Sequence, residues 1–191
     1  SDYADFVRVF DEIAIPDYLK HTFFVEGGGL GVENALKIAF DWKVRKNLEA
    51  GKGEKGLNVI HFKQAFHGRT GYTLSLTNTS DPRKTMYFPK FDWPRVDNPY
   101  LRFPITSEVI DEVRLKEAAT IAQIKDAIAM NPDDIAALII EPIQGEGGDH
   151  QFRDEFFVQL RQLCDENEII YILDEVQTGI GITGKMWAHE H

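Results

Sequence analysis

The fold is decided by the stretch Ile169-Ile170-Tyr171-Ile172-Leu173-Asp174-Glu175-Val176-Gln177-Thr178-Gly179. Its first five residues are hydrophobic and rich in β-branched isoleucine, which predicts a buried strand. Strands of this kind are typical of parallel sheets that are covered on both faces. The strand ends at Asp174, and a polar turn with a glycine follows. Because open α/β sheets bind ligands at the carboxyl ends of their strands, the sequence places a carboxylate at a predicted ligand site.

Strands and helices alternate along the rest of the chain. Apolar runs predict further strands at residues 22–25, 57–62 and 135–140. Apolar residues at helical spacing predict helices at residues 5–11, 32–48, 118–130 and 154–167. Residues 71–76 are compatible with a helix or an extended segment, and the proline-rich residues 81–104 predict an irregular excursion. The alternation predicts an α/β fold, a mostly parallel sheet with helices on both faces.

Composition excludes several classes of partner. The 191 residues carry a formal net charge of −10, which argues against nucleic acid or an anionic membrane as the main partner. No apolar run approaches membrane-spanning length. The single cysteine, Cys164, allows no intrachain disulfide and favours a reducing, cytoplasmic compartment. The chain starts without methionine and ends in a helix-like segment, so we interpret both ends as internal to a longer protein.

A glycine-rich turn joins the strand predicted at residues 22–25 to the following helix. It reads Gly27-Gly28-Gly29-Leu30-Gly31. Amide groups at a helix start can bind a phosphate when no Cβ atoms obstruct them. A tight turn without a ligand explains this motif equally well on its own. A dinucleotide is the less favoured ligand because the glycine spacing departs from G-x-G-x-x-G.

Three more segments follow predicted strands. In the first, Phe66 and His67 precede a glycine, and Arg69 follows it. Phe66 can cover a planar ring, and Arg69 can bind a carboxylate through two hydrogen bonds. In the second, Glu141 ends a strand and Glu146 lies in a flexible glycine turn, where it can meet a cationic amine. Taken singly, a packed Phe, a core His and a solvated Arg are the favoured interpretation of the first segment, and a solvated loop charge is the alternative for Glu146.

The third segment suggests the nature of the ligand. Asp174 can pair with a protonated ring nitrogen, Val176 can contact the ring face, and Gln177 can hydrogen-bond a ring hydroxyl. With a phosphate site and the Phe-His-Gly segment upstream, the combination suggests pyridoxal 5'-phosphate (PLP). The alternative for Asp174 is a helix-capping role in the loop.

Two other patterns are rejected. Residues 179–185 satisfy G-x-x-x-x-G-K, but Met186 stands where a nucleotide-binding loop needs Ser or Thr for magnesium. His189 and His191 have no third ligand at a useful spacing, so no metal site is expected.

Together, the four segments resemble the class III, fold-type I, PLP-dependent aminotransferases. Within that family the similarity is greatest to the lysine 6-aminotransferases. It is carried by residues 23–28 (FFVEGG), 88–95 (FPKFDWPR) and 141–149 (EPIQGEGGD), whereas residues 174–179 (DEVQTG) are common to the wider class.

The resemblance implies a role for each residue singled out above. The cofactor would be bound by Gly28, Gly29, Phe66, His67, Asp174, Val176 and Gln177, with Asp174 also catalytic. The substrates would be bound by Arg69, which holds a carboxylate, and by Glu146, which sets specificity. Glu141 would support the site from behind.

The resemblance also implies a reaction and an assembly. The terminal amine of L-lysine would pass to 2-oxoglutarate, giving glutamate and 2-aminoadipate 6-semialdehyde, which cyclises to piperideine-6-carboxylate. The family acts as a homodimer with active sites at the interface. Residues 1–191 would be part of the large PLP-binding domain, without the small domain and without the lysine that carries PLP as a Schiff base, so this chain alone would be inactive. We interpret Lys185 as a surface residue.

Two alternatives stay open at this point. Enzymes that use ornithine, acetylornithine or 4-aminobutyrate share the same frame. A non-catalytic α/β module that binds a phosphate is the second alternative, although such a module does not need an acid opposite a ring nitrogen.

Overall fold

The computed structural model describes residues 1–19 and 21–191. The main helices are α1 (Asp2–Ile13), α2 (Gly28–Glu49), α4 (Ser107–Met130) and α6 (Asp154–Glu166), and single-turn helices are α3 (Thr73–Leu76) and α5 (Gly145–Gly148). The strands are β1 (Asn58–Phe62), β2 (Arg95–Val96), β3 (Ile135–Ile140), β4 (Ile143–Gln144), β5 (His150–Gln151) and β6 (Ile170–Leu173). Short 3₁₀ turns cover Pro82–Lys84 and Ala188–Glu190.

Four strands form one parallel sheet in the order β2-β1-β3-β6. All six residues of β3 are buried, as expected for a continuous apolar run at the centre of such a sheet. Strand β6 pairs with β3 so that Leu173 lies opposite Ile140. Both strands therefore end at the same edge, and the predicted fold class is confirmed.

Helices cover both faces of this sheet. On one face Leu36 and Ala39 of α2 pack against Val59, Ala137 and other strand residues. On the opposite face, helices α4 and α6 pack against alternate residues of the strands. The helix residues are Ile124, Ala127, Phe156, Leu160 and Leu163, and the strand residues are Ile60, Leu138 and Ile140. Each fully buried aliphatic side chain contributes roughly 1.5–3 kcal/mol, so the two layers hold the strand ends in fixed positions.

Several predicted elements differ from the structure. Residues 22–25 are not a strand: Phe24 instead packs edge-on against Phe6 and Phe10 of α1, with ring centres 5.7 and 5.8 Å apart. Helix α4 begins eleven residues before the predicted start at 118, because the Thr106 hydroxyl accepts a hydrogen bond from the Val109 amide and caps the helix there. The undecided residues 71–76 contain helix α3.

None of the helices within residues 1–19 and 21–191 is both long enough and apolar enough to cross a bilayer.

Candidate active site

The candidate site lies at the carboxyl edge of the parallel sheet. Strands β1, β3 and β6 end there, and each is followed by a segment singled out in the sequence. Phe66 and His67 follow β1, Glu141 follows β3, and Asp174 follows β6. The structure thus brings together residues that are up to 107 positions apart in the chain.

Asp174 and His67 form a buried pair. His67 Nδ1 lies 2.7 Å from Asp174 Oδ2, and the two side chains are 0% and 4% exposed. The other carboxylate oxygen accepts a hydrogen bond from the Val176 amide at 3.1 Å. The Asp174 amide donates to the Ile140 carbonyl at 2.9 Å, which extends the pairing of β6 with β3 by one residue. Backbone and side chain together therefore hold this carboxylate in one place.

The His67 ring keeps one nitrogen without a partner. Nε2 is buried and accepts or donates no hydrogen bond within residues 1–19 and 21–191. The His67 amide donates to the Thr77 hydroxyl at 3.1 Å, which fixes the backbone behind the ring. A buried, unpaired polar atom beside a buried carboxylate is unusual in a purely structural site, because its desolvation is not compensated.

Glu141 is buried near this pair and bonds to the loop that carries His67. It is 5% exposed, and its Oε1 atom accepts a hydrogen bond from the Phe66 amide at 2.8 Å. The pKa of Glu141 is raised to about 7, chiefly by burial; His67 and the Phe66 amide act to lower it, and the nearby Asp174 acts to raise it. Glu141 therefore anchors the loop that carries Phe66 and His67.

The glycine-rich turn lies against the segment after β6. Helix α2 begins at Gly28, with Gly27 as its N-cap in the left-handed region (φ 85°) and no side chain capping its free amides. A Cβ atom on Gly28 would lie 2.6 Å from Cγ1 of Val176, so only glycine permits this approach. A Cβ atom on Gly29 would lie 3.2 Å from the methyl group of Thr70. The uncapped, positive end of α2 is thus placed at the same sheet edge as Asp174.

Glu33 is a residue of this site that the sequence analysis missed. It is 8% exposed on α2, and its Oε1 atom accepts hydrogen bonds from the Thr70 hydroxyl (2.5 Å) and the Tyr72 amide (2.6 Å). These bonds tie the glycine turn to the loop that carries Arg69. The available signal was a carboxylate three residues before Leu36, which lies on the buried face of α2.

Three predicted residues are exposed at the rim. Arg69 is exposed and makes no hydrogen bond or ion pair within the described part of the chain, so its guanidinium is available to a ligand. Val176 is 68% exposed in spite of its contact with Gly28. Gln177 is also exposed, and its amide group lies against Gly145, where a Cβ atom would collide with it.

Glu146 lies in a glycine-rich segment between two short strands. Residues 145–148 form the single-turn helix α5 inside the antiparallel β4–β5 hairpin. Gln144 anchors this hairpin, since it is fully buried and its amide donates to the Lys63 carbonyl at 3.0 Å. Glu146 Oε1 accepts hydrogen bonds from Thr79 and Lys84, each at 2.7 Å. No local sequence pattern marks Lys84 or Thr79 as neighbours of Glu146.

The rejected nucleotide-binding pattern has no support in the structure. Residues 176–187 form turns and bends, and Ala188–Glu190 is a 3₁₀ turn rather than the long helix that such a loop requires. Lys185 is exposed, in agreement with its interpretation as a surface residue.

Known proteins resemble this chain over nearly its whole length. It matches the family described as aminotransferase class-III over residues 2–191. The L-lysine-epsilon aminotransferase of Mycobacterium tuberculosis is 52% identical over 188 residues, which cover 98% of this chain and 41% of that protein. The 4-aminobutyrate aminotransferase of Kluyveromyces lactis is 42% identical over 180 residues, covering 94% of this chain and 37% of that protein.

The fold comparison agrees with these sequence matches. A solved structure of lysine aminotransferase from M. tuberculosis superposes with a TM-score of 0.93 at 52% identity, covering 98% of this chain and 42% of that one. The chain therefore spans about two fifths of the length of the relatives it matches.

Proposed function

The chain belongs to the class III aminotransferase family, and on that premise we propose that its site binds PLP and takes part in the transamination of a terminal amine. The observation that carries the proposal is the arrangement of Asp174 and Gly28. A buried carboxylate and an uncapped helix N-terminus are joined through Val176, which is two residues from Asp174 and in contact with Gly28. A ligand with an anionic phosphate and a cationic ring nitrogen would place the phosphate at the helix N-terminus and the ring nitrogen at the carboxylate.

The residues present fit this cofactor. The amides of Gly28 and Gly29 would bind the phosphate, because no side chain caps them and no Cβ atom obstructs them. Asp174 would hold the ring nitrogen, since its negative charge is buried and fixed by His67. The unpaired Nε2 atom of His67 supports a ligand or bridging group at this point. Phe66 and Val176 would supply apolar contact to the ring, and Gln177 a hydrogen bond to its oxygen.

The protein residues perform separate tasks in the proposed reaction. PLP, when bound, supplies the aldehyde that receives the amino group and the ring that withdraws electrons. Asp174 would keep the ring nitrogen protonated, because a nearby negative charge favours the protonated form. His67 orients Asp174 through its Nδ1 atom, and Glu141 holds the Phe66 backbone in place. Neither His67 nor Glu141 needs to contact the substrate for these tasks.

Two residues near the edge of the site, Arg69 and Glu146, suggest how the substrates bind. The free guanidinium of Arg69 would bind a substrate carboxylate, and Glu146 would meet a cationic amine group of the donor other than the one that is transferred. Because relatives named L-lysine-epsilon aminotransferase are 52% identical and a 4-aminobutyrate aminotransferase is 42% identical, we propose L-lysine as the donor and 2-oxoglutarate as the acceptor. The products would be glutamate and 2-aminoadipate 6-semialdehyde.

Further parts of the proposal concern the complete gene product. We propose that residues 1–191 belong to the large domain, and that the lysine carrying PLP lies in the portion that the relatives have beyond this match. The enzyme would be a homodimer with its active sites at the interface. The buried, free thiol of Cys164 supports a reducing compartment such as the cytoplasm.

Spectroscopy of the complete gene product tests the cofactor. Bound PLP should give a visible absorbance band that borohydride bleaches and that shifts when L-lysine is added. Asp174→Asn should reduce kcat/KM by about 10- to 100-fold, because a charge-assisted hydrogen bond is worth about 1.5–3 kcal/mol. The matched control is Asp126→Asn, which changes an exposed aspartate of α4.

The outcomes separate the parts of this proposal. A complete protein without a borohydride-sensitive band after incubation with PLP would overturn the cofactor assignment. Full activity of Asp174→Asn would overturn the ring-nitrogen role alone. Faster turnover of 4-aminobutyrate or ornithine than of L-lysine would leave the reaction class in place and reassign the donor.

A further inference from the structure

Arg69 is an exposed cation at the candidate site, and the backbone on both sides of it is fixed by hydrogen bonds. On one side, the Gly68 carbonyl accepts a hydrogen bond from the Thr77 hydroxyl at 2.6 Å. On the other side, the Thr70 amide donates to the Thr73 hydroxyl at 2.9 Å. The side chain of Arg69 therefore extends from a braced piece of backbone, although its guanidinium is exposed.

The Thr70 side chain continues this support to helix α2. Its hydroxyl donates to Oε1 of Glu33 at 2.5 Å and lies 2.8 Å from the Thr73 hydroxyl. A hydroxyl has one proton and an ionised carboxylate has none, so Thr70 donates to Glu33, and the Thr73 hydroxyl donates to Thr70. The same Oε1 atom accepts hydrogen bonds from the Tyr72 and Thr73 amides, at 2.6 and 3.4 Å. The result is a chain of hydrogen bonds with one direction, in which each bond strengthens the next.

The loop that carries Arg69 also touches the glycine turn directly. A Cβ atom on Gly68 would lie 3.0 Å from the Gly29 Cα atom, and Gly68 has a φ of 114°. A Cβ atom on Gly29 would lie 3.2 Å from the Thr70 methyl group. The close approach of the two backbones therefore requires glycine at position 68. Because Glu33 belongs to the helix that begins at this turn, its bond to Thr70 holds the two segments together.

We propose that Thr70, braced by Glu33, is a positioning residue that holds Arg69 at a fixed distance from the proposed phosphate site at the start of α2. The inference rests on the proposed function, in which Arg69 binds a substrate carboxylate. A guanidinium on a fixed backbone binds a carboxylate with less loss of conformational freedom than one on a mobile loop. The brace therefore lowers the KM of substrates that carry a carboxylate and leaves the chemical step unchanged.

The first test is substitution of Thr70 in the complete gene product. Thr70→Val removes the hydroxyl and keeps the shape of the side chain. The KM values for L-lysine and 2-oxoglutarate should rise about fivefold with little change in kcat, as expected for the loss of one hydrogen bond that acts on binding. Thr70→Ser keeps the hydroxyl and should restore most of both KM values.

The control for removing a threonine hydroxyl is Thr120→Val on α4. Thr120 is buried, and its hydroxyl has no hydrogen-bond partner within residues 1–19 and 21–191. This substitution therefore makes the same chemical change without the loss of a bond, and both KM values should stay at those of the wild type. If Thr70→Val does not fold, Thr70→Ala removes the same hydroxyl without adding bulk and should give the same shifts.

A double-mutant cycle tests whether Thr70 acts through Arg69. Thr70→Val should lower kcat/KM for L-lysine about fivefold in the wild-type background and leave it unchanged in a protein that already carries Arg69→Ala. Equal losses in the two backgrounds would show that Thr70 supports the fold in general, and they would overturn the positioning role. KM values that are the same in the wild type and Thr70→Val would overturn it as well.

A binding measurement makes the test independent of turnover. Glutarate has both carboxylates of 2-oxoglutarate and no oxo group to react, so calorimetry with glutarate reports carboxylate binding alone. Its affinity should fall about fivefold in Thr70→Val and recover in Thr70→Ser.

Failure of this inference is distinguishable from failure of the proposed function. A protein that transaminates L-lysine but binds glutarate equally well in the wild type and in Thr70→Val would overturn the role of Thr70 alone. A complete protein that does not transaminate any amine would overturn the proposed function, and the glutarate measurement would still decide whether Thr70 supports a carboxylate site at Arg69. Glutarate that binds to none of these proteins would overturn the carboxylate site itself.

Discussion

The sharpest prediction concerns the pH dependence of stability that Glu141 contributes. This carboxyl group is 5% exposed, and burial raises its pKa to about 7. In Glu141→Gln the amide has the shape of the protonated acid, and its oxygen can still accept the hydrogen bond from the Phe66 amide. The substitution therefore removes the ionisation and leaves the packing unchanged.

The sign follows from proton linkage. Between pH 4.5 and about 7 the folded state keeps the proton of Glu141 and the unfolded state loses it, so this group destabilises the fold progressively as the pH rises. Its stabilising contribution is complete below pH 4.5 and lost above pH 7. The difference between about 7 and 4.5, at ~1.4 kcal/mol per pH unit, corresponds to about 3 kcal/mol. Glu141→Gln should thus equal the wild type near pH 4.5 and exceed its stability above pH 7.5 by up to that amount.

Urea denaturation of the complete gene product at pH 5 and pH 8, at one protein concentration and without added cofactor, measures this difference. Glu166→Gln, an exposed position at the end of α6, controls for removal of one negative charge. A Gln variant that is less stable than the wild type at pH 8 would refute the reasoning, because it would show that the ionised carboxylate is favourably solvated or paired in the folded protein.

Two further predictions concern the glycine turn and its support. Gly28→Ala should weaken PLP binding about tenfold or more, since the new Cβ atom would lie 2.6 Å from Val176. Gly31→Ala is the control on the same helix, because its Cβ atom enters open space and PLP should bind normally. A fluorescence titration with PLP measures both, and equal affinities would contradict this prediction. Glu33→Ala should lower the free energy of unfolding by about 1–3 kcal/mol and speed hydrogen exchange at the Tyr72 amide, because it leaves buried donors unpaired. Glu33→Gln keeps the acceptor and should restore most of the protection. Equal exchange at Tyr72 in the wild type and both variants would show that the bond is dispensable.

Strands β3 and β6 were predictable because residues 135–140 and 169–173 are apolar without interruption. Only β3 is fully buried as that pattern predicts; β6 lies at the edge of the sheet, and its residues 170–173 are half-buried. Residues 22–25 have the same local character, yet they pack on α1 instead of joining the sheet. Nothing within four residues distinguishes a segment that pairs with a strand from one that packs on a helix, since the difference lies in distant partners.

The location of the site was also predictable, but its internal bonds were not. Each strand delivers its last residue to the same edge, so the positions of Glu141 and Asp174 follow from the topology. The bond between His67 and Asp174 depends on side-chain geometry across 107 residues, which no local pattern contains. Hydrophobic periodicity likewise describes α2 without revealing that Glu33 turns inward to accept three hydrogen bonds.

This difference between backbone and side chain has a functional consequence. The proposed phosphate end of the site is built from the backbone of Gly28 and Gly29, and a change there moves the start of α2 against Val176. The proposed substrate end includes Glu146, whose ion-pair partner Lys84 belongs to the turn Pro82–Lys84, and this turn contributes no buried residue to either core. A substitution at Lys84 therefore changes the charge of the site without removing packing. We expect substrate preference to be altered more easily than cofactor binding, because the first depends on a partly exposed side chain and its partner, and the second on the fold itself.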